Sequence, residues 1–186
     1  GQEADLIPKE QAELIPQAGD GSCLFHSLSY GLVGHMSNKA VSRELRMDIV
    51  NFIRQHPERK IAGVTFADWV NLDSKLSVDA YSCKMAKTSS WGGALEIAVC
   101  AILEGVNIHV YEAIHDGYHR ISEFDAPCAN SNTRTIHICF RGGVHYDALN
   151  VHADITTGSI SDTDALNHAL NNGMMRGGGC GASSQN

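Results

Sequence analysis

The chain has 186 residues, 43% of them hydrophobic and only 4 of them proline, long enough for one compact domain that buries roughly 70% of its unfolded surface. A net charge of −7, from 14 Lys and Arg against 21 Asp and Glu with no basic cluster, argues against nucleic acid and anionic membrane and suits a partner with a basic face. The most apolar segment, residues 94–106, is interrupted by Glu96 and Glu104, so no run of about 18 apolar residues is left to span a membrane.

Residues 1–18 alternate only weakly, and Pro8 and Pro16 block a regular helix, which predicts a lead-in arm. From Cys23 onward Leu24, Phe25, Leu28 and Leu32 recur at helical spacing until Gly34 ends the run. Ser37 is the expected N-cap of a second helix reaching residue 54, with Val41, Leu45, Ile49, Val50 and Ile53 on one stripe and charges opposite. His56 and Pro57 close it. Two short helical pieces follow, 66–72 and 77–87, then a loop at 88–90 and a strong helical pattern over 91–104 stopped by Gly105. The period then changes from helical to two, and 107–112, 118–124, 135–140 and 146–151 read as strands. Helices first and strands later predict an α+β domain with a mostly antiparallel sheet packed between helices. Beyond residue 153 come small polar residues, one short helical stretch at 162–171 and a glycine-rich end at 177–181, a composition expected to be disordered. The expected division is an arm 1–18, a main domain 19–152 and an extension 153–186.

The six cysteines include no CxxC pair and no Cys/His alternation, so they read as independent thiols in a reducing, cytoplasmic setting. Cys100 and Cys139 are expected in the core, Cys128 and Cys180 exposed. His115 and His119 would share a face only on a helix, and Asp116-Gly117 predicts a hairpin turn there instead. No metal is expected. No signal-like apolar region precedes Leu6, and a chain opening at Gly1 is what a processed or excised piece would show.

One stretch carries chemistry. The loop Gly19-Asp20-Gly21-Ser22 delivers Cys23 to the start of a helix, where unpaired N–H groups and the peptide dipole bias a thiol toward thiolate. A thiol nucleophile also needs a base, an acid to orient that base, and donors for an oxyanion. Glycines let the loop adopt unusual dihedrals, so the N–H groups around Asp20, Gly21 and Ser22, with that of Cys23, are the candidate oxyanion donors. His145 is the candidate base. Asp147, two residues on along a strand and about 6.6 Å away, projects to the same face and would accept its Nδ1–H, leaving Nε2 to the thiol. His26 sits in the next helical turn, aimed off the thiol. Trp91 packs at a helix start, and Glu96 is either a buried partner for a loop amide or a solvated helix residue.

Three blocks occur in order: Asp20-Gly21-Ser22-Cys23-Leu24-Phe25, Trp91-Gly92-Gly93-Ala94-Leu95-Glu96 and His145-Tyr146-Asp147-Ala148-Leu149. On these the chain resembles the OTU (ovarian tumour) cysteine proteases, which are deubiquitinases. The resemblance implies a papain-like α+β fold and no cofactor, with Cys23 as nucleophile, His145 as base, Asp147 as orienting acid and the Asp20 loop at the oxyanion. It further implies a monomer that cleaves the isopeptide or peptide bond after the C-terminal glycine of ubiquitin or polyubiquitin, with Trp91, Gly92, Gly93 and Tyr146 along the groove. A channel built from glycines suits a tail that ends in two glycines. Two other readings stand beside this one: a protease for another ubiquitin-like modifier or a polyprotein junction, and a ubiquitin-binding domain without catalysis. Arg176-Gly177-Gly178 faintly echoes the end of ubiquitin, and a flexible glycine-rich tail is the plainer account of it.

Overall fold

In the computed structural model, which describes residues 5–152, helix α1 (Cys23–Val33) lies at the centre, and Leu24, Phe25 and Leu28 are buried in the core. The stretch at 162–171, Cys180 and Arg176-Gly177-Gly178 lie outside the described residues. Helix α2 (Lys39–Gln55) is amphipathic as its spacing predicts, but its N-cap is Asn38, whose side chain accepts from the N–H groups of Ala40 and Val41. Ser37, the expected cap, instead bonds the Ser29 hydroxyl at 2.6 Å. A two-residue hairpin joins β3 (Lys60–Ile61) to β4 (Val64–Thr65) and leads into α3 (Phe66–Ser74), which is followed by α4 (Val78–Met85). Helix α5 (Ala94–Glu104) starts three residues later than the apolar pattern suggests, because the Glu96 carboxylate accepts the Gly93 N–H at 2.8 Å and sets the first turn there.

The arm is not a lead-in. Its segments Leu6–Pro8 (β1) and Ala12–Ile15 (β2) are strands of one six-stranded sheet with β5 (Asn107–Ile114), β6 (Gly117–Phe124), β7 (Thr135–Arg141) and β8 (His145–Val151). Prolines rule out a helix, but at a sheet edge or just past a strand end they leave the pairing intact. The order is β1-β6-β5-β7-β8-β2, and β5–β7 is its parallel pair, the others being antiparallel. The α+β expectation holds. In a flat sheet β1 and β2 would stand five spacings apart, about 24 Å, yet Pro8 and Ala12 are joined through Lys9–Gln11, a span of at most about 14 Å. The sheet therefore curls until its two edges approach.

Curling creates two cores. Ile108, Val110, Ile136 and Ile138 face the helices and pack with α1, α2 and α5. Tyr111, Tyr118, Cys139, Leu149 and Ala12 fill the other side, inside the curl. Gly31 of α1 lies so close to the sheet that a Cβ there would meet Ile136 at 3.0 Å. That tight seat on β7 and β8 brings the N-terminus of α1 to the start of β8.

Candidate active site

Residues distant in sequence meet at one cleft, lined by Cys23 and Leu24 from α1, by Trp91 and Gly92, and by Phe140, Gly143, Val144 and Tyr146 around the β7–β8 turn. His145 opens β8 beside it. A Cβ on Gly19 would stand 4.0 Å from His145 Cε1, so the cysteine loop and the imidazole are neighbours. His145 Nε2 lies 2.9 Å from Asp147 Oδ1. An ionised carboxylate only accepts, so Nε2 carries the proton and the lone pair rests on Nδ1. The ring nitrogen that meets the acid is therefore Nε2, where Nδ1 was expected. Strand spacing puts acid and base on one face, but the ring's rotation is set by where the carboxylate is held.

Three donors hold it. Asp147 is buried, its Oδ1 accepts the Gln17 N–H at 2.7 Å as well as His145, and its Oδ2 accepts from Arg141 at 2.7 Å. Burial alone would raise its pKa, but the Gln17 amide, Arg141 and His145 outweigh that and keep the carboxyl below its ordinary range. Gln17 follows β2, so the arm that pairs with β8 also fixes the acid. Neither Gln17 nor Arg141 is visible as a site residue in the sequence; a backbone N–H has no side-chain signature, and Arg141 lies at the edge of a turn.

The loop before Cys23 is tied down residue by residue. Gly21 has φ +87, and a Cβ there would fall 2.7 Å from Ser89 Cα, so only glycine fits. The Ser22 N–H donates to Asp20 Oδ1 at 3.1 Å, and the Ser22 hydroxyl donates to Thr88 O at 2.8 Å. The Ser22 amide is thus committed and is not a free oxyanion donor, contrary to expectation. The Cys23 N–H, first of α1, has no acceptor within the helix. Asp20 is also held by His26 Nε2 at 3.1 Å, while His26 Nδ1 meets Ser42 Oγ at 2.7 Å. His26 thus serves the loop and leaves the thiol alone. Burial pushes the Asp20 carboxyl up, and the Ser22 amide, His26 and Lys39 together bring it below its usual value.

Of the remaining predicted groove residues, Trp91 does not pack at a helix start. It is 66% exposed on the cleft wall, because the helix begins only at Ala94. Gly92 presses on α1, where a Cβ would come 2.8 Å from Leu24 Cδ2, and Tyr146 stacks on Phe140 with centroids 4.8 Å apart. Gly93 does not line the cleft; its N–H is held by Glu96. Glu96 is buried and also accepts from Tyr81 Oη at 2.5 Å. Burial raises its pKa against the opposing pull of Tyr81 and the Gly93 amide. Cys100 and Cys139 are buried, and burial pushes their thiols up, Cys139 to about 11, while Cys83 and Cys128 are exposed. Among the described residues no three His, Cys, Asp or Glu side chains are grouped to hold a metal. A thiol at a helix start, a free amide beside it and an imidazole backed by a carboxylate are the parts that acyl transfer requires.

A family model for OTU-like cysteine proteases matches residues 18–146. Ubiquitin thioesterase OTU1 of Saccharomyces cerevisiae is 32% identical over 139 residues, 74% of this chain and 39% of that protein. Human ubiquitin thioesterase OTU1 is 28% identical over 151 residues, 78% of this chain and 37% of that protein. The chain spans about two fifths or less of the length of the curated relatives it matches. Among solved structures, the Hazara virus OTU bound to ubiquitin superposes with a TM-score of 0.61 at 19% identity, covering 77% of this chain and 84% of that one. The OTU domain of OTUD1 gives 0.58 at 20% identity, covering 75% and 86%. At such identities the likeness shows a shared fold.

Proposed function

Because the family match covers more than half of its length, the chain belongs to the OTU-like cysteine proteases, and on that premise we propose that it is a thiol hydrolase releasing ubiquitin from conjugates. The observation that carries the proposal is the cleft shared by Cys23 and the turn that leads into His145, with Asp147 buried behind the ring. The ubiquitin-bound state of structural neighbours and the ubiquitin thioesterase relatives support ubiquitin as the substrate.

In this reading Cys23 Sγ attacks the carbonyl of ubiquitin's last glycine, and the Cys23 N–H donates to the oxyanion that forms. His145 Nδ1, having taken the thiol proton, returns it to the leaving lysine amine, and Asp147 stabilises the imidazolium through Nε2. Water, deprotonated by the same Nδ1, then resolves the thioester to a carboxylate and restores the thiol. Gly92 and Gly143 in the cleft lining leave room for an extended tail of glycines.

Two measurements test this. Ubiquitin bearing a C-terminal electrophile should label the wild type at Cys23 and leave Cys23→Ala unlabelled, and diubiquitin should be cleaved by the wild type alone. Labelling that persists in Cys23→Ala refutes the nucleophile. Cleavage of other ubiquitin-like fusions with ubiquitin untouched refutes the substrate.

A further inference from the structure

Arg46 of α2 has none of its side chain exposed and stands over the ring of Phe25 at 3.9 Å. Its Nη2 donates to Gly21 O at 3.1 Å, to Ser22 Oγ at 3.0 Å and to Thr88 O at 3.1 Å. Its Nη1 donates to Met85 O and Ser90 O, both at 2.9 Å. Among the described residues no carboxylate touches the guanidinium directly. A buried cation is costly to desolvate, and here four carbonyl oxygens and the Ser22 hydroxyl, from the two segments 21–22 and 85–90, meet Nη1 and Nη2, while Nε has no partner among the described residues. Only a planar fork of donors meets so many acceptors in one place.

The consequence falls on one peptide plane. The carbonyl of the Gly21–Ser22 peptide is held by Arg46, and its N–H, pointing the opposite way, is held by Asp20 Oδ1. In the next peptide, Ser22 O accepts the His26 N–H at 2.9 Å, which turns the Cys23 N–H outward, away from the helix. With both planes fixed, the Cys23 amide cannot rotate away when negative charge develops beside it.

We propose that Arg46 is a positioning residue for acyl transfer: by gripping the Gly21 carbonyl against the 85–90 segment it holds the Cys23 amide where the oxyanion forms. This rests on the reading of Cys23 as nucleophile. Arg46 and Cys23 are also close enough to interact electrostatically, but the proposal concerns geometry, and two kinds of reaction separate the two effects. Acylation creates an oxyanion, whereas alkylation by iodoacetamide displaces iodide at an sp³ carbon and creates none.

The experiment measures kcat and KM for ubiquitin-aminomethylcoumarin, turnover of a small activated aryl ester, and the rate of Cys23 alkylation in the wild type, Arg46→Met and Arg46→Lys. For Arg46→Met, kcat and ester turnover should fall about 100-fold, the scale of losing one oxyanion donor, with KM and alkylation changed less than about threefold. Arg46→Lys should recover only part of the loss, since an ammonium has no fork. Asp20→Ala, at an exposed loop position, frees the other end of the same peptide and should show the same split if Arg46→Met does not fold. Parallel losses in acylation and alkylation, or no loss in either, overturn the proposal. A wild type that turns over the ester but not ubiquitin refutes the substrate and leaves the Arg46 ratio readable.

Discussion

Replacing Asp147 by Asn and by Ala should give two different outcomes, and the difference follows from which donors share which oxygen. In the wild type Oδ1 takes the Gln17 N–H and His145 Nε2, while Oδ2 takes Arg141. In Asp147→Asn, an amide with its oxygen in the Oδ1 place keeps both Gln17 and His145 and turns its NH2 toward Arg141, whose half-exposed side chain can swing into water. The opposite rotamer would set the NH2 against two fixed donors. The introduced amide should therefore adopt the first rotamer, preserve the ring orientation, and lose only the charge. A hydrogen bond to a charged partner is worth about 1.5–3 kcal/mol against about 0.5–1.5 for a neutral one, so kcat should fall about tenfold. Asp147→Ala leaves His145 unrestrained and the Gln17 amide without an acceptor, and should lower kcat about 100-fold and stability by about 1–3 kcal/mol. In a domain of this size each kcal/mol is about 2–4 °C in Tm, so thermal melts beside ubiquitin-aminomethylcoumarin kinetics read both effects. Asn as damaging as Ala in both assays, or Ala without effect on kcat, refutes the reasoning. Because the Asp147 carboxyl is held below its ordinary value of 3.8, its contribution to stability is complete above the unfolded-state pKa and is lost only as the pH falls through the lower, folded one.

Gly21→Ala combines a positive φ with a Cβ placed 2.7 Å from Ser89 Cα; backbone cannot yield as a side chain can, so the loop should shift at a cost of about 2–4 kcal/mol. Its kcat should fall far more than that of Gly92→Ala, whose nearest contact is the movable end of Leu24, and equal kcat in the two variants would contradict this. His137, inside the curled sheet beside His109 and Tyr111, has its pKa lowered from 6.5 to about 4 by burial, with His109 and Arg120 adding to the effect. The unfolded chain therefore takes up a proton near 6.5 and the folded one only near 4, so stability drains as the pH drops across that window. Allowing for partial exposure, the loss is about 1–2 kcal/mol; denaturant titrations at pH 7 and pH 4.5 should show a smaller difference in His137→Gln, and an unchanged difference refutes the assignment. Tyr81→Phe removes a donor from the buried Glu96 carboxylate and should cost about 1.5–3 kcal/mol, seen as a Tm lower by roughly 3–12 °C; an unaltered Tm would mean that Glu96 is satisfied without it.

What the residues make legible is local. Helical spacing locates α1 from Cys23 to Val33, and alternation locates β5 to β8, because an amphipathic face repeats every few residues regardless of what it packs on. His145 and Asp147 fall on one face because strand geometry alone puts them there. The same helical spacing puts Arg46 among residues facing the core, three before Ile49 and four before Val50, although a charge is expected on the solvated face. Burial of a guanidinium depends on acceptors supplied by residues 21–22 and 85–90, and no periodicity encodes those.

The tertiary structure alone decided the rest. That the arm forms both edges of the sheet is a property of the curl, which brings strands next in sequence to opposite edges of the sheet order. That Nε2 of His145, and not Nδ1, faces the acid goes with the place where Gln17 and Arg141 hold the carboxylate. A sequence carries the donors and acceptors of such a site. Which of them pair is settled only when packing has chosen the distances, because hydrogen bonds act over about 3 Å and the chain brings these groups together from more than a hundred residues apart.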